Sequence, residues 1–245
     1  MLFSEKTINE LINTHPEIAS ALRFLGIHFD NYSEHTLSQL CHEKGLNPDM
    51  VVSRIHEHLY TKPKQGIIFS ELPIDLLIAY LKHNHYLFIK QRLPFLMELV
   101  NKFDIENEQI KAELKFVMPL FVEDFIEHIY EEEDTFFVYI LYLYQLLNNN
   151  TVENTETINI DRIRKYYEEH TTMHDDVLKG LRELTHNFEI DASYDINTKV
   201  VLSELKRLDQ DLLFHAKVEN EILFPRAIAL ETDVKLRMSN LLFTQ

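Results

Sequence analysis

Several residue types are scarce in this chain of 245 residues, and each scarcity excludes a class of protein. The single cysteine, Cys41, excludes an intramolecular disulfide framework and any zinc or iron–sulfur site held by the cysteines of one chain. Four glycines and seven prolines are few for a β-rich or loop-rich protein. No apolar run approaches the ~18 residues that a membrane span needs. The composition therefore favours a helical protein without a membrane span.

Positive charge is also scarce, because 24 lysines and arginines stand against 40 aspartates and glutamates. The formal net charge of −16 disfavours nucleic acid and anionic membrane surfaces as partners. The N-terminal segment lacks a cationic stretch followed by an apolar one, so we expect no signal peptide and a cytoplasmic location. Hydrophobic residues make up 45% of the chain, which is enough for a sizeable core.

Two stretches of the chain share a pattern of His, three residues, Glu, four residues and Phe. The first begins at His128 and carries Glu132, and the second begins at His215 and carries Glu219. Residues four apart on an α-helix lie on one face, so each stretch aims an imidazole and a carboxylate at one point. Nitrogen and oxygen donors of this kind suit iron, manganese or zinc. One copy alone is weak support, because such pairs also occur on solvated helix faces.

Two further histidines, His85 and His174, extend this pattern along the chain. The candidate centres fall at positions 85, 130, 174 and 217, at intervals of 45, 44 and 43 residues. In an up-down-up-down four-helix bundle, such even spacing returns the chain to the same depth on every pass. We therefore expect a metal site inside the bundle. The predicted ligands are His85, His128, Glu132, His174, His215 and Glu219.

The two glutamates enter from different helices, which suits carboxylates that each bridge two metal ions while the histidines fill terminal positions. His85 and His215 on one ion, with His128 and His174 on the other, is one possible pairing, and the sequence leaves the pairing open. Ferritin-like di-iron bundles place a histidine three residues after a glutamate, so that family fits poorly.

The chain is predicted to form two domains. A small helical domain is expected over residues 1–62, and the four-helix bundle with a C-terminal tail over residues 67–245. The only plausible linker is the polar stretch 61–66, which contains Pro63 and Gly66.

The bundle helices are expected over about 73–103, 106–148, 161–186 and from 193 onward. Three prolines fall inside these patterns. Pro94 should kink the first helix, Pro119 should kink or break the second, and Pro225 should bend or end the fourth. The apolar tail 234–243 is expected to fold back on the bundle.

These motifs resemble those of a known family. The His-x3-Glu stretches, the His-Asp-Asp that begins at His174 and the run HAKVENEILFPRA from His215 resemble the hemerythrin-like (HHE) cation-binding domain. Within it, the closest resemblance is to the RIC family, di-iron proteins implicated in the repair of iron–sulfur centres. The stretch from Asn13 to Pro48 resembles that family's small N-terminal domain. The resemblance thus spans residues 5–230.

Two departures from the family pattern stand out. The family usually carries Cys-Cys-Gly-Gly after a Gly-Ile-Asp-Phe segment, whereas here Gly26-Ile-His-Phe29 leads into Asp-Asn-Tyr-Ser. A redox or metal-transfer role of that cysteine pair is therefore absent. The family also uses the second of two adjacent histidines on the first bundle helix as a ligand. In an ungapped comparison this place is Tyr86, and His85 lies one residue away, about 100° around the helix.

Four more histidines and glutamates lie near the predicted ligands in the sequence. His83 lies two positions from the first-helix ligand and is expected in solvent. His170 lies one turn before the third-helix histidine and is either a fifth histidine ligand or a hydrogen-bonding residue beneath the metal. Glu131 and Glu133 flank the first bridging glutamate but point about 100° away from it, so we expect them on a solvated face. Together with Tyr86, His83 and His170 are the less favoured ligand candidates.

The resemblance implies a protein of iron–sulfur cluster repair and of the nitrosative and oxidative stress response. It would hold two iron ions, bridged in one form by an oxo or hydroxo group, and bind O₂, NO or peroxide. Iron–sulfur proteins would be its clients. No catalytic residue is assigned, and the N-terminal domain is expected to be an interaction or dimerisation surface, which makes a homodimer one expectation.

Two other functions remain open from the sequence. One is a hemerythrin-like module that binds or senses O₂ or NO without catalytic turnover. The other is a helical protein with a vacant site, which the cost of burying unpaired histidines and glutamates disfavours.

Overall fold

A computed structural model describes residues 3–60, 68–149, 161–173 and 178–242. Regular structure in these ranges is helical, apart from one isolated β-bridge between Thr7 and Thr36. The prediction of an all-α helical bundle is confirmed for this part of the chain. None of its helices is both long enough and apolar enough to cross a membrane.

Four short helices open the chain, and local sequence signals set their ends. The helices are α1 (Ile8–Thr14), α2 (Ile18–Phe24), α3 (Leu37–Lys44) and α4 (Pro48–Tyr60). At the start of α1, the Thr7 hydroxyl accepts from the backbone N–H of Glu10, and the Glu10 carboxylate accepts from the backbone N–H of Thr7. This reciprocal cap satisfies two N–H groups that the first helical turn leaves unpaired. Gly45 ends α3 with a φ of 66°, in the left-handed region that glycine adopts most easily.

Longer helical segments follow, and three of them contain a π-helical turn. The first two are α5 (Ile74–Leu87), the turn Phe88–Arg92 and α6 (Leu93–Lys102), then α7 (Glu108–Glu131), the turn Glu132–Phe136 and α8 (Phe137–Asn149). The last two are α9 (Arg162–Met173) with α10 (Lys179–Leu184), then α11 (Ile196–Val218), the turn Glu219–Leu223 and α12 (Phe224–Leu242). These four segments correspond to the four predicted bundle helices.

The prolines inside these segments do not end them. Pro119 lies within α7, so the alternative of a break there is wrong. Pro94 and Pro225 each take the second position of a helix that follows a π-helical turn. Both prolines thus follow just after a π-helical turn, where the hydrogen-bond pattern changes from that of the α-helix. Of the two alternatives for Pro225, a bend or an end of the helix, the end is wrong, since the helix runs on to Leu242.

The predicted fold-back of the C-terminal tail is also wrong over its described residues. Positions 234–242 continue α12, and Val234 is buried while Met238 packs against the same apolar cluster. Residues four apart lie on one helix face, so a straight helix already brings the apolar residues of the tail to the core.

The chain forms two compact units. Unit 1 comprises Met1–Ile67, Phe95–Met118 and Gly180–Asp209, and unit 2 comprises Ile68–Pro94, Pro119–Lys179 and Gln210–Gln245. Unit 1 thus joins the N-terminal segment to parts of helices that come later in the sequence. The domain boundaries expected from the sequence, 1–62 and 67–245, stay a prediction.

Within unit 1, charged side chains attach the N-terminal segment to α6. The Glu98 carboxylate lies 2.9 Å from the Arg23 guanidinium and 3.2 Å from the His28 ring. The Lys102 ammonium donates to Asp30 at 2.8 Å. Asp30 stands where the RIC pattern places its cysteine pair, so an ion-pair network occupies this region in place of thiols.

The core of unit 2 is one cluster of buried side chains drawn from all four long segments. Its members are Ile74, Leu77, Ile78, Leu81, Phe136, Phe137, Tyr139, Ile140, Leu143, Ile163, Val218, Leu223, Phe224, Ala227 and Val234. Several of them are the phenylalanines and leucines that follow the two bridging glutamate candidates. The core and the candidate metal ligands are therefore built by the same turns of helix.

Two adjacent leucines on α5 test how much this core stabilises the fold. Leu77 is fully buried, whereas Leu76 is 54% exposed. We expect Leu77→Ala to lower the free energy of unfolding by about 2–5 kcal/mol, because it leaves a cavity in the core. Leu76→Ala, the matched control, should change it by no more than about 0.5 kcal/mol. Urea denaturation of chelator-treated protein, followed by circular dichroism, measures both, and equal effects would contradict the burial described for α5.

Candidate metal centre

The π-helical turns determine how the candidate ligands are presented. One begins at Glu132 and another at Glu219, the glutamates of the repeated His-x3-Glu pattern, and the third follows His85 by three residues. A π-helical turn adds one residue to the helical repeat, and such turns are frequent at functional sites. In the second segment no proline follows the turn, so proline alone does not account for these turns.

Four predicted ligands meet at one point in unit 2. His85, Glu132, His215 and Glu219 are all buried, and one donor atom from each lies within 4.8 Å of the others. We call this set the His/Glu cluster. It brings together α5, the end of α11 and the starts of two π-helical turns.

Distances inside the His/Glu cluster are short. The Nε2 atoms of His85 and His215 lie 3.0 Å apart. Nε2 of His215 lies 3.0 Å from a carboxylate oxygen of Glu219, and Nε2 of His85 lies 3.5 Å from one of Glu132. Two imidazole lone pairs at this separation repel each other unless a proton or a cation is shared between them.

His128 lies beside the His/Glu cluster. Its Nε2 atom lies 3.4 Å from Oε1 of Glu132, whereas His85 faces the other oxygen, Oε2. Glu132 therefore has a histidine near each of its carboxylate oxygens. This is the arrangement that a bridging carboxylate requires.

Burial changes the proton affinities inside the cluster. Burial, together with the neighbouring His215, lowers the pKa of His85 to about 4. Burial also raises the pKa of Glu132 well above its usual range, and the nearby Glu219 carboxylate adds to this effect. A neutral imidazole keeps a lone pair for a metal ion, and a cation would compensate the charge of the buried carboxylates. The donor set thus fits a metal ion.

Aromatic rings frame the His/Glu cluster. The ring of Phe137 stacks on His85 with centroids 5.7 Å apart, and the rings of Phe88 and His215 are nearly perpendicular with centroids 5.8 Å apart. Phe136 stacks on Tyr166 with ring centroids 4.5 Å apart, and Phe224 contacts Phe136 at 4.9 Å in a tilted arrangement. Apolar surroundings keep water from the donors and limit the rotation of the imidazoles.

The remaining predicted ligands fall outside this cluster or outside the described residues. His83 and Tyr86 are exposed, with 56% of Tyr86 accessible, because the helix turns both away from the face that buries His85. His170 lies in α9, but its side chain is outside the described residues, and His174 lies outside them altogether. The structure therefore brings together five of the predicted residues, counting His128.

The sequence interpretation missed one residue, Glu133. It was expected on a solvated face, but its Oε1 atom lies 3.0 Å from Nδ1 of His85 and its Oε2 atom 3.2 Å from the Lys82 ammonium. Glu133 lies inside the π-helical turn, where side-chain directions depart from those of an α-helix. Its position directly after a bridging glutamate candidate was the only sequence signal that pointed to it.

Comparisons with known proteins support the same kind of protein. No protein-family model matches the chain. An iron-sulfur cluster repair protein YtfE from Pectobacterium carotovorum is 24% identical over 232 residues, which cover 93% of this chain and 99% of the relative. An iron-sulfur cluster repair protein ScdA from Staphylococcus haemolyticus is 20% identical over 227 residues, which cover 91% and 98%.

Imidazole and carboxylate donors buried between the helices of a bundle are typical of helical metal-binding proteins. The relatives match this chain over more than nine tenths of its length, and all of them are named iron-sulfur cluster repair proteins. This similarity confirms the resemblance of this chain to the RIC family of iron–sulfur cluster repair proteins.

The raised pKa of Glu132 predicts a pH effect on the metal-free protein. The folded-state pKa lies above the unfolded one, so the stability that the protonated carboxyl contributes at low pH is lost as pH rises beyond the usual glutamate range. Glu132→Gln should remove this loss and stabilise metal-free protein at neutral pH by on the order of 1 kcal/mol. The same variant should bind metal more weakly.

Thermal unfolding at several pH values, with and without added ferrous iron, measures both effects. Glu131→Gln is the matched control, because it removes the same charge from an exposed neighbour. If Glu132→Gln behaves like this control, the carboxylate has no special place in the cluster.

Proposed function

We propose that this chain is a di-iron protein that acts in iron–sulfur cluster repair and in the response to nitrosative or oxidative stress. The observation that carries the proposal is the His/Glu cluster, in which two imidazoles and two carboxylates are buried with donor atoms within 4.8 Å. Burial of four such groups at one point is costly unless they bind a cation, because each loses its contacts with water. The relatives named as iron-sulfur cluster repair proteins supply the biological role.

In the proposed centre, Glu132 and Glu219 would be the carboxylate ligands that two irons share. The positions of His85 and His128 near opposite oxygens of Glu132 support a bridging role for this carboxylate. The short distance between His215 and Glu219 supports the second half of the site. His174 is the proposed fourth histidine, and His170 remains a further candidate on α9. The proposal leaves out His83 and Tyr86.

Iron at this site would supply reversible exchange between ferrous and ferric states and an open position for O₂, NO or peroxide. The chain's own residues do the rest. The low pKa of His85 keeps its imidazole neutral at physiological pH. Phe137 and Phe88 hold the two imidazole rings in place and exclude water from the donors.

We also propose two kinds of protein partner for this chain. Iron–sulfur proteins with damaged clusters are the proposed clients, in a cytoplasmic setting. A homodimer is proposed as well, with the N-terminal segment as the contact surface. In this chain the segment has an ion-pair network where the RIC pattern has cysteines, so its contribution would be binding and not thiol chemistry.

Metal content is the direct test of the centre. Protein produced without a histidine tag from iron-supplemented cells should contain about two irons per chain, as two bridging carboxylates require. Elemental analysis with the near-ultraviolet absorption of ferric iron measures this. Glu219→Gln should lose iron, whereas Glu221→Gln, an exposed neighbour, should retain it. One tightly bound zinc per chain and no ferric absorption would rule out the di-iron centre.

Cluster repair needs a separate assay. A [4Fe–4S] enzyme inactivated by NO should regain activity faster with the iron-loaded chain than with the same amount of free ferrous iron. Glu219→Gln treated in the same way serves as the control for the metal site. Equal recovery with free iron would contradict a repair role, and reversible binding of O₂ or NO without recovery would favour the binding module.

A further inference from the structure

Glu133 links the His/Glu cluster to a surface lysine. Its Oε1 atom lies 3.0 Å from Nδ1 of His85, and its Oε2 atom lies 3.2 Å from the ammonium of Lys82. The carboxylate is partly buried, with 22% of the side chain exposed. Lys82 and His85 lie on α5, whereas Glu133 lies in the π-helical turn after α7. The contact therefore connects two of the four long segments.

The contact with Glu133 determines which nitrogen of His85 carries the hydrogen. An ionised carboxylate only accepts hydrogen bonds, so the hydrogen of a neutral imidazole must lie on Nδ1. Nε2 then carries the lone pair, and this is the atom that lies 3.0 Å from His215 and 3.5 Å from Glu132. A carboxylate behind an imidazole also makes that imidazole a stronger donor.

The second copy of the sequence pattern lacks such a carboxylate. The residue that follows Glu219 is Asn220, in the place that Glu133 takes after Glu132. Among the described residues, Nδ1 of His215 has no hydrogen-bond partner. The two buried histidines of the cluster are therefore unequal, and only His85 has a carboxylate behind it.

We propose that Glu133 is a positioning residue that holds His85 in the Nδ1–H form and strengthens its Nε2 atom as a donor for the metal. Lys82 limits this effect, because its ammonium competes for the charge of the same carboxylate. The inference rests on the proposed metal site and adds that the site is asymmetric, with the stronger imidazole donor on α5.

Two substitutions with opposite expected effects test this role. Glu133→Gln keeps the shape of the side chain but removes its charge, so ferrous iron should be released to a competing chelator about 10- to 100-fold more readily. The midpoint potential of the bound iron should move to more positive values, because a weaker donor stabilises the ferric state less. Lys82→Met should move the potential in the negative direction, since it frees the carboxylate for His85.

Glu131→Gln is the matched control, because it removes the same charge from an exposed neighbour on the same helix. It should leave both chelator competition and potential close to the wild-type values. Equal changes in Glu131→Gln and Glu133→Gln would overturn the proposal, because they would reflect net charge alone. Shifts of the same sign in Lys82→Met and Glu133→Gln would overturn it as well.

The tautomer of His85 can be measured in the metal-free protein and therefore does not depend on bound iron. Nitrogen NMR of histidine-labelled protein should show His85 as the Nδ1–H tautomer in the wild type and in Glu131→Gln. Glu133→Gln should lose this preference, since an amide accepts a hydrogen bond more weakly than a carboxylate. The same tautomer in Glu133→Gln and in the wild type would refute the positioning role.

The failure of this inference is distinguishable from the failure of the proposed function. Wild-type protein that binds no iron would refute the metal site, and the positioning role toward a metal with it. Wild-type protein that binds iron, with Glu133→Gln indistinguishable from it in chelator competition, potential and tautomer, would refute only the role of Glu133.

Discussion

Unit 2 depends on one constraint, which is that two imidazoles and two carboxylates are buried at the same point. An isolated ionised group in an apolar interior is very unfavourable, so such groups must be neutral, paired or bound to a cation. The opposite shifts in the pKa values of His85 and Glu132 are the signs of this constraint. The phenylalanines around the cluster increase the cost of its burial, because they replace water with apolar surface. A bound metal ion would remove much of this cost, because its charge compensates the buried carboxylates.

The π-helical turns allow the same helices to build both the core and the cluster. In the second segment, His128 before the turn and Glu132 at its first position face the cluster, and after the turn Phe137 and Ile140 face the core. The residue that the π-helical turn adds rotates the following side chains by about 100° around the helix axis. The candidate ligands before the added residue and the core residues after it therefore both point inward, which an uninterrupted α-helix would not allow. The turn also brings Glu133 behind His85. The same π-helical turn thus places the candidate ligand Glu132 and brings Glu133 to the ring of His85.

Within unit 1, ion pairs attach the N-terminal segment to α6. Where the RIC pattern has a cysteine pair, Asp30 forms an ion pair with Lys102 of α6. The pairs with Glu98 add to this network. Exposed ion pairs contribute little stability each, so the buried residues of α1 to α4 must supply most of the packing in this part of unit 1.

The His-x3-Glu pairs could be recognised in the sequence, because a separation of four residues is a property of the helix itself. His128 with Glu132 and His215 with Glu219 are each close in the structure, as the helical repeat requires. The all-α class followed for a similar reason, since composition and apolar periodicity act locally. Helix ends were less predictable, as Pro225 shows, because a π-helical turn depends on packing around it.

The choice between His85 and Tyr86, in contrast, was decided only by tertiary structure. Adjacent residues differ by about 100° around a helix, and which of them faces inward depends on how the helix packs against its neighbours. The contact between Glu133 and His85 was likewise not predictable from the sequence, because it joins residues 48 apart in the chain and Glu133 lies in a π-helical turn. The sequence by itself determined which donors lie together along one helix. Packing between helices decided which donors meet, because rotation about a helix axis changes no local interaction.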